Sequence, residues 1–417
     1  MNCKLPKFIE IRYKDKVALI DPENKVCLGV SSWMADNLET EDVQNKLYPI
    51  WAEQAMLQKE VERQHEKINT AYLLVTKQCN MNCKFCSVEA ERNVQLDQEI
   101  AIEDIQNKIV PFFQKYCPHN LIVTGGEPLI KNKIVEIIEA LYAGIRCPII
   151  LQSNGLVLQG DIVDRLKGKI AEIDFSTAHM FENELKENML IKNIEMCQSA
   201  SINVVLSFMY EKTNKNGLYK FIDIAAKYDT NVLIKFVAPI GRGKGYTTLL
   251  TDMDRMELYL DVAKYIYKNR LKGKLLSGLL NQRIQVRKTC GGYGKVIAIN
   301  PMGDIYMCQS LVKNEYKLGN ILVDTPEMVM DTLREKLEDK EIKKAFCVEY
   351  KTSCNQCEYR YLCSGKCFAL GESKDDGCYF AKSLFDYQLF CKGDGSEIDL
   401  KEYIVFLESA IEAYREN

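Results

Sequence analysis

The sequence has no apolar run long enough to cross the bilayer, which excludes a spanning helix. Its N-terminus lacks the charged-then-apolar layout of a secretory signal, so a cytoplasmic location is expected. It has no dense block of Lys and Arg, its net charge is −3 and its pI is near 5.9. Neither nucleic acid nor a membrane is therefore an expected partner. A further absence is local: residues 87–116 contain neither His nor Cys. A zinc knuckle built on the cysteines just before them would want a fourth ligand there.

Cysteine is abundant by contrast. Seventeen cysteines in a reducing compartment favour metal over disulfides, and an oxygen-free habitat would fit. Three of them, Cys79, Cys83 and Cys86, stand at C-x3-C-x2-C directly after the β-prone run 71–76. Three soft thiolates on one tight loop suit an iron–sulfur cluster. A four-iron cluster held by three thiolates keeps one iron open to a small molecule.

At 417 residues the chain has room for two or three domains. Residues 1–68 read as a separate module. Strand-like runs at 8–13, 17–20 and 26–30 are separated by turn-formers, and a helical pattern follows from Ser31, interrupted at Pro49 and resuming to about Glu66. Over 69–275 strands and helices alternate, which implies βα units around a parallel sheet. The strand candidates are 71–76, 121–124, 148–152, 172–176, 203–208 and 231–237. The helical stretches lie at 97–116, 132–143, 162–166, 183–200 and 217–228. Chemistry on such a frame belongs at the C-terminal ends of the strands. Thr124-Gly125-Gly126-Glu127-Pro128 falls there, with adjacent glycines that allow close backbone approach and oxygens that can accept from an ammonium.

C-x3-C-x-aromatic-C, here Cys79, Cys83, Phe85 and Cys86, resembles the signature of the radical S-adenosylmethionine (radical SAM) enzymes. The resemblance implies an α/β fold with a partial six-unit barrel. It also implies that SAM chelates the open iron and is cleaved by one electron to methionine and a 5′-deoxyadenosyl radical. In those terms Phe85 would pack against the adenine, and Thr124, Gly125, Gly126 and Glu127 match the motif that holds the SAM amino group. Asn154 resembles the family's strand-end Asn-Gly. Ser176 resembles a ribose contact, although the Asp usually found after it is missing from Ser176-Thr177-Ala178-His179. Arg242, in the segment said to lie along the adenine, would meet a carboxylate of SAM or of substrate. His179 is read as a solvated loop residue, and no catalytic acid or base stands out.

The tail brings a second resemblance. Cys290 and Cys308 give C-x12-G-x4-C, followed by Cys354, Cys357, Cys363 and Cys367 at C-x2-C-x5-C-x3-C, and then Cys378. This is similar to the seven-cysteine SPASM pattern, which carries two auxiliary 4Fe–4S clusters, for three clusters in all. The runs 296–300 and 305–307 read as a hairpin that brings Cys290 and Cys308 together. By resemblance, Cys290, Cys308 and Cys367 hold the first auxiliary cluster, and Cys354, Cys357, Cys363 and Cys378 the second, with Cys391 as an alternative to Cys378. The first cluster is either closed by Cys347 or left open to a substrate thiolate, the open site being favoured. Cys3, Cys27, Cys117, Cys147 and Cys197 read as buried apolar residues. The SPASM domain is expected over 276–396, and a C-terminal helix over 397–417 that packs back on the barrel.

The N-terminal module resembles the winged-helix-like peptide-recognition element of maturases of ribosomally made peptides, such as thioether-forming sactipeptide and ranthipeptide synthases. A precursor peptide with a leader, and an electron donor such as flavodoxin or ferredoxin, are the implied partners. The expected activity is peptide crosslinking or another oxidation, with a thioether favoured. The alternatives are an anaerobic sulfatase-maturing enzyme that forms formylglycine, and a non-catalytic metal-stabilised scaffold that binds a peptide.

Overall fold

The computed structural model describes residues 4–64, 68–92, 99–246, 249–280, 284–365, 367–370, 378–392 and 398–416. Cys3 and the start of the helix expected at 97–116 lie outside them.

Strands β1 (Ile9–Tyr13), β2 (Lys16–Asp21) and β3 (Val26–Ser31) form an antiparallel meander. The period of two sends alternate β2 residues to opposite faces. Val17 and Leu19 pack under the helix Glu41–Gln64 with Val43, Leu47 and Ala55. Ala18 and Ile20 join Val348, Tyr359, Tyr361 and Phe390 of the cysteine-rich tail. The module therefore sits on the tail, and Tyr13 stacks on Phe390 at 5.5 Å. One expectation is corrected here: the helix runs unbroken through Pro49. A mid-helix proline costs roughly 3 kcal/mol, and burial of Val43, Leu47 and Ala55 on both sides of it offsets that cost.

Among the described residues the main sheet has nine strands. Six run parallel in chain order: β4 (Thr70–Leu74), β5 (Asn120–Thr124), β6 (Ile149–Ser153), β7 (Glu172–Ser176), β8 (Asn203–Tyr210) and β9 (Asn231–Phe236). The helices between them cover one face, where Leu73, Val123, Leu151, Phe175, Leu206 and Phe208 are buried. Strand order follows chain order without reversal, as in barrel winding, but β9 does not pair with β4. The result is an open, partial barrel.

The sheet continues past β4. Strand β10 (Val296–Ile299) pairs parallel with β4, and β11 (Asp304–Tyr306) and β12 (Lys317–Asn320) follow antiparallel. The hairpin expected around Gly303 is present, its turn held by the Asn300 side chain, whose Oδ1 accepts from Met302 N and Asp304 N. One sheet thus joins the barrel to the start of the cysteine-rich tail. Helix Leu400–Glu416 packs against helix Asp252–Lys268, burying Tyr403, Leu407 and Ile411. Among the described residues no helix is long and apolar enough to cross a membrane.

Candidate active site

The loop after β4 is fastened before it reaches its first cysteine. Glu99 accepts from Thr76 Oγ1 at 2.7 Å and Lys77 N at 3.2 Å, and pairs with Lys131 at 2.7 Å. Cys79 N then donates to Glu91 O at 3.0 Å, and Glu91 N to Lys77 O at 3.2 Å, closing the loop at its base. Backbone N–H groups point at two of the sulfurs, Met81 N at Cys79 Sγ and Ala90 N at Cys86 Sγ, each at 3.4 Å. Burial pushes the Cys79 and Cys83 thiols up, which a bound metal would reverse. Phe85 lies half-buried between Cys83 and Cys86.

The Gly-Gly turn is laid directly on this loop. Gly126 N donates to Thr76 O at 2.8 Å and Glu127 N to Gln78 O at 2.9 Å. A Cβ on Gly125 would fall 2.5 Å from Thr76 O, and one on Gly126 2.1 Å from Gln78 O. Only glycine allows that approach.

Glu127 departs from expectation. Its carboxylate is fully buried and accepts from Leu129 N, Ser153 Oγ and Asn154 N at 3.0, 2.8 and 2.7 Å. It clasps the end of β5 to the end of β6 rather than facing a ligand. Asn154 continues the clasp, donating from Nδ2 to Asn80 Oδ1 at 2.6 Å.

Ser176 is exposed at the end of β7, where a ligand can reach it. His179 is half-buried rather than solvated. Its Nε2 donates to the Asn154 carbonyl at 3.1 Å, and burial holds its pKa down at about 4, so the ring is neutral. Arg242 also differs from the reading that aimed it at a carboxylate. Its Nε donates to Cys83 O at 2.9 Å and its Nη2 to Ala90 O at 2.8 Å. Lys84 turns outward to Glu211 at 2.9 Å, which also accepts from Tyr246 Oη.

Sequence reasoning missed a polar set on the concave face of the barrel. Asp174 accepts from Ser207 Oγ at 2.6 Å, Gln152 Nε2 at 3.2 Å and Lys235 Nζ at 3.3 Å. The signal was present: each is a polar residue alternating with apolar ones that pack under the helices.

In the tail, Cys290 and Cys308 converge on Gly292, where an added Cβ would lie 3.6 Å from Cys290 Sγ and 3.5 Å from Cys308 Cβ. Both lie within electrostatic reach of Cys367. Cys363 lies within reach of Cys354, Cys357 and Cys378. Cys347 backs onto Thr289, but its thiol is 3.7 Å from Glu349 Oε2. Cys391 faces Tyr13, Lys14 and Lys16 of the N-terminal module. Cys197 is buried as expected, whereas Cys117 and Cys147 are half-buried and in mutual contact.

Residues 73–210 match the Radical SAM superfamily. The chain carries a radical SAM domain. Among curated proteins, a probable GTP 3′,8-cyclase of Saccharolobus solfataricus is 22% identical over 69% of this chain and 96% of its own length. The GTP 3′,8-cyclase of Clostridium perfringens is 23% identical over 58% of this chain and 75% of its own. Among solved structures, Streptococcus suis SuiB bound to S-adenosylmethionine superposes with a TM-score of 0.56 at 14% identity, covering 88% of this chain and 95% of that one. anSMEcpe with bound AdoMet gives 0.56 at 15% identity, covering 84% and 100%. SuiB bound to its precursor peptide SuiA gives 0.54 at 15%, covering 87% and 94%. The likenesses to solved structures establish a shared fold across most of the chain.

The donor set fits the cluster that such a domain implies. Three thiols share one loop with N–H groups aimed at sulfur. Among the described residues, no three His, Cys, Asp or Glu side chains are gathered as one metal ion requires.

Proposed function

We propose that this radical SAM enzyme oxidatively modifies a ribosomally made peptide. Cys79, Cys83 and Cys86 are the ligands of a SAM-binding 4Fe–4S cluster. Such a cluster, when loaded with SAM, supplies the electron that cleaves SAM to methionine and a 5′-deoxyadenosyl radical. The chain's own residues supply the frame. Glu127 and Asn154 hold the strand ends beneath the loop, Gly125 and Gly126 bring backbone to the SAM amino group, and Ser176 is exposed where ribose would lie.

The observation that carries the peptide reading is the docking of a small antiparallel sheet on the cysteine-rich tail. Among the described residues β3 pairs only with β2, so its other side is a sheet edge. A leader peptide adds to such an edge as a further strand. The peptide-bound neighbours SuiB and anSMEcpe support this reading through fold.

The tail is read as a SPASM domain with two auxiliary clusters. Cys354, Cys357, Cys363 and Cys378 would hold one, and Cys290, Cys308 and Cys367 the other. With the Cys347 thiol turned to Glu349, the second set keeps a place for a soft ligand from substrate, a cysteine thiolate above all. That favours a thioether as product.

Co-expression with short cysteine-containing peptides encoded nearby, followed by mass spectrometry, tests the reading. Loss of two hydrogens with a crosslink supports it, whereas an aldehyde at one residue means formylglycine formation. Sequence similarity favours a second reading, GTP cyclisation. GTP consumed in step with 5′-deoxyadenosine, with peptide left unchanged, would establish that one instead.

A further inference from the structure

We propose that Arg242 is a positioning residue that tunes the SAM-binding cluster, its fixed positive charge raising the cluster's reduction potential. The inference rests on the cluster assignment to Cys79, Cys83 and Cys86.

Arg242 reaches the ligand loop from the far side of the barrel mouth, at the turn after β9. Its Nε and Nη2 hold the carbonyls of Cys83 and Ala90 at 2.9 and 2.8 Å, and its own N–H donates to Cys86 O at 3.0 Å. Gly241 makes this approach possible. It sits at φ +57°, and a Cβ there would fall 2.6 Å from Cys86 O and 2.5 Å from Ser87 O. The planar guanidinium matches two divergent carbonyls in a way that an ammonium does not.

Charge is the second consequence. Carbonyl acceptors carry no net charge, so hydrogen bonding to them leaves the guanidinium's positive charge uncancelled. Lys84, on the ligand loop, is paired with Glu211. Reduction adds one negative charge to a cluster, and a cation held nearby favours that state. Residues outside the ligand shell commonly tune metal centres in this way.

The test is a redox titration of the anaerobically reconstituted protein, followed by the electron paramagnetic resonance signal that changes when SAM is added. At the potential where wild type is half reduced, the reduced-to-oxidised ratio should fall about tenfold in R242Q, a downward shift of about 59 mV for one electron. It should stay within about threefold of wild type in R242K, which keeps the charge. An unchanged ratio in R242Q at full iron content overturns the proposal, and so does an equal fall in both variants. If R242Q lacks the SAM-sensitive signal, R242K decides by the same ratios. Absence of that signal from both variants would leave Arg242 a purely structural clamp and also overturn the proposal. Wild type without a SAM-sensitive signal would instead remove the cluster assignment itself.

Discussion

Arg242 and Cys83 are 159 residues apart in sequence, yet the guanidinium Nε donates to the Cys83 carbonyl at 2.9 Å. The first and last strands of the parallel run do not pair, so this contact bridges the mouth of a barrel that its sheet leaves open. The loop that would hold the cluster is thereby held from both sides, by the Gly-Gly turn after β5 and by the Arg242 turn after β9.

Replacing Cys83 with Ala should abolish 5′-deoxyadenosine formation, read by chromatography after dithionite and SAM are added. Replacing Cys357 should leave part of that activity, because its thiol lies with the tail cysteines. Equal loss in both, at equal folded content, would contradict the division of roles.

The Glu127 clasp should be worth more than a single hydrogen bond. Glu127→Ala leaves Leu129 N, Ser153 Oγ and Asn154 N without their buried acceptor. At about 1–3 kcal/mol for each unsatisfied group, partly relieved by relaxation, the loss should be roughly 3 kcal/mol. Urea unfolding of the apo-protein measures it, and a loss under 1 kcal/mol would mean that the clasp is not needed.

His179 should make stability depend on pH. Its folded pKa of about 4 lies below the ordinary 6.5. Between these values the unfolded chain binds the proton and the folded one does not, so this contribution is full above pH 6.5 and is lost as pH falls toward 4. The full span is about 3 kcal/mol. Asp386, raised to about 6 by burial, slopes the opposite way. The measurement is therefore the difference between wild type and His179→Asn from pH 7 to 4.5. It should shrink as pH falls, and a constant difference would refute the assignment.

Iron content should separate Cys347 from Cys367. Cys347→Ser, whose thiol faces Glu349, should leave iron and sulfide content unchanged. Cys367→Ser should lower it by about one cluster's worth, since Cys367 lies within reach of Cys290 and Cys308. The reverse pattern would place Cys347 in the ligand set.

On the concave face, Asp174→Asn should reduce product formation from peptide about tenfold or more while SAM cleavage continues. Asp174 anchors Gln152, Ser207 and Lys235 inside the barrel, and none of these is a residue of the ligand loop. Proportional loss of both activities, read by mass spectrometry and chromatography on the same samples, would show that it supports the fold alone.

Local chemistry was legible from the sequence alone. Thiol spacing along a short loop is a chain property, and so is the alternation of six βα units, because apolar period and turn residues act over a few positions. The hairpin around Gly303 belongs to the same class. The directions in which Glu127, His179, Arg242 and Cys347 point were decided only by the tertiary structure. Each has partners contributed wholly or partly by distant chain or by the local backbone path, and burial, which no single stretch encodes, made those partners necessary. The joining of β10 to β4 is of the same kind, since a free sheet edge is satisfied by whichever strand the folded chain brings beside it.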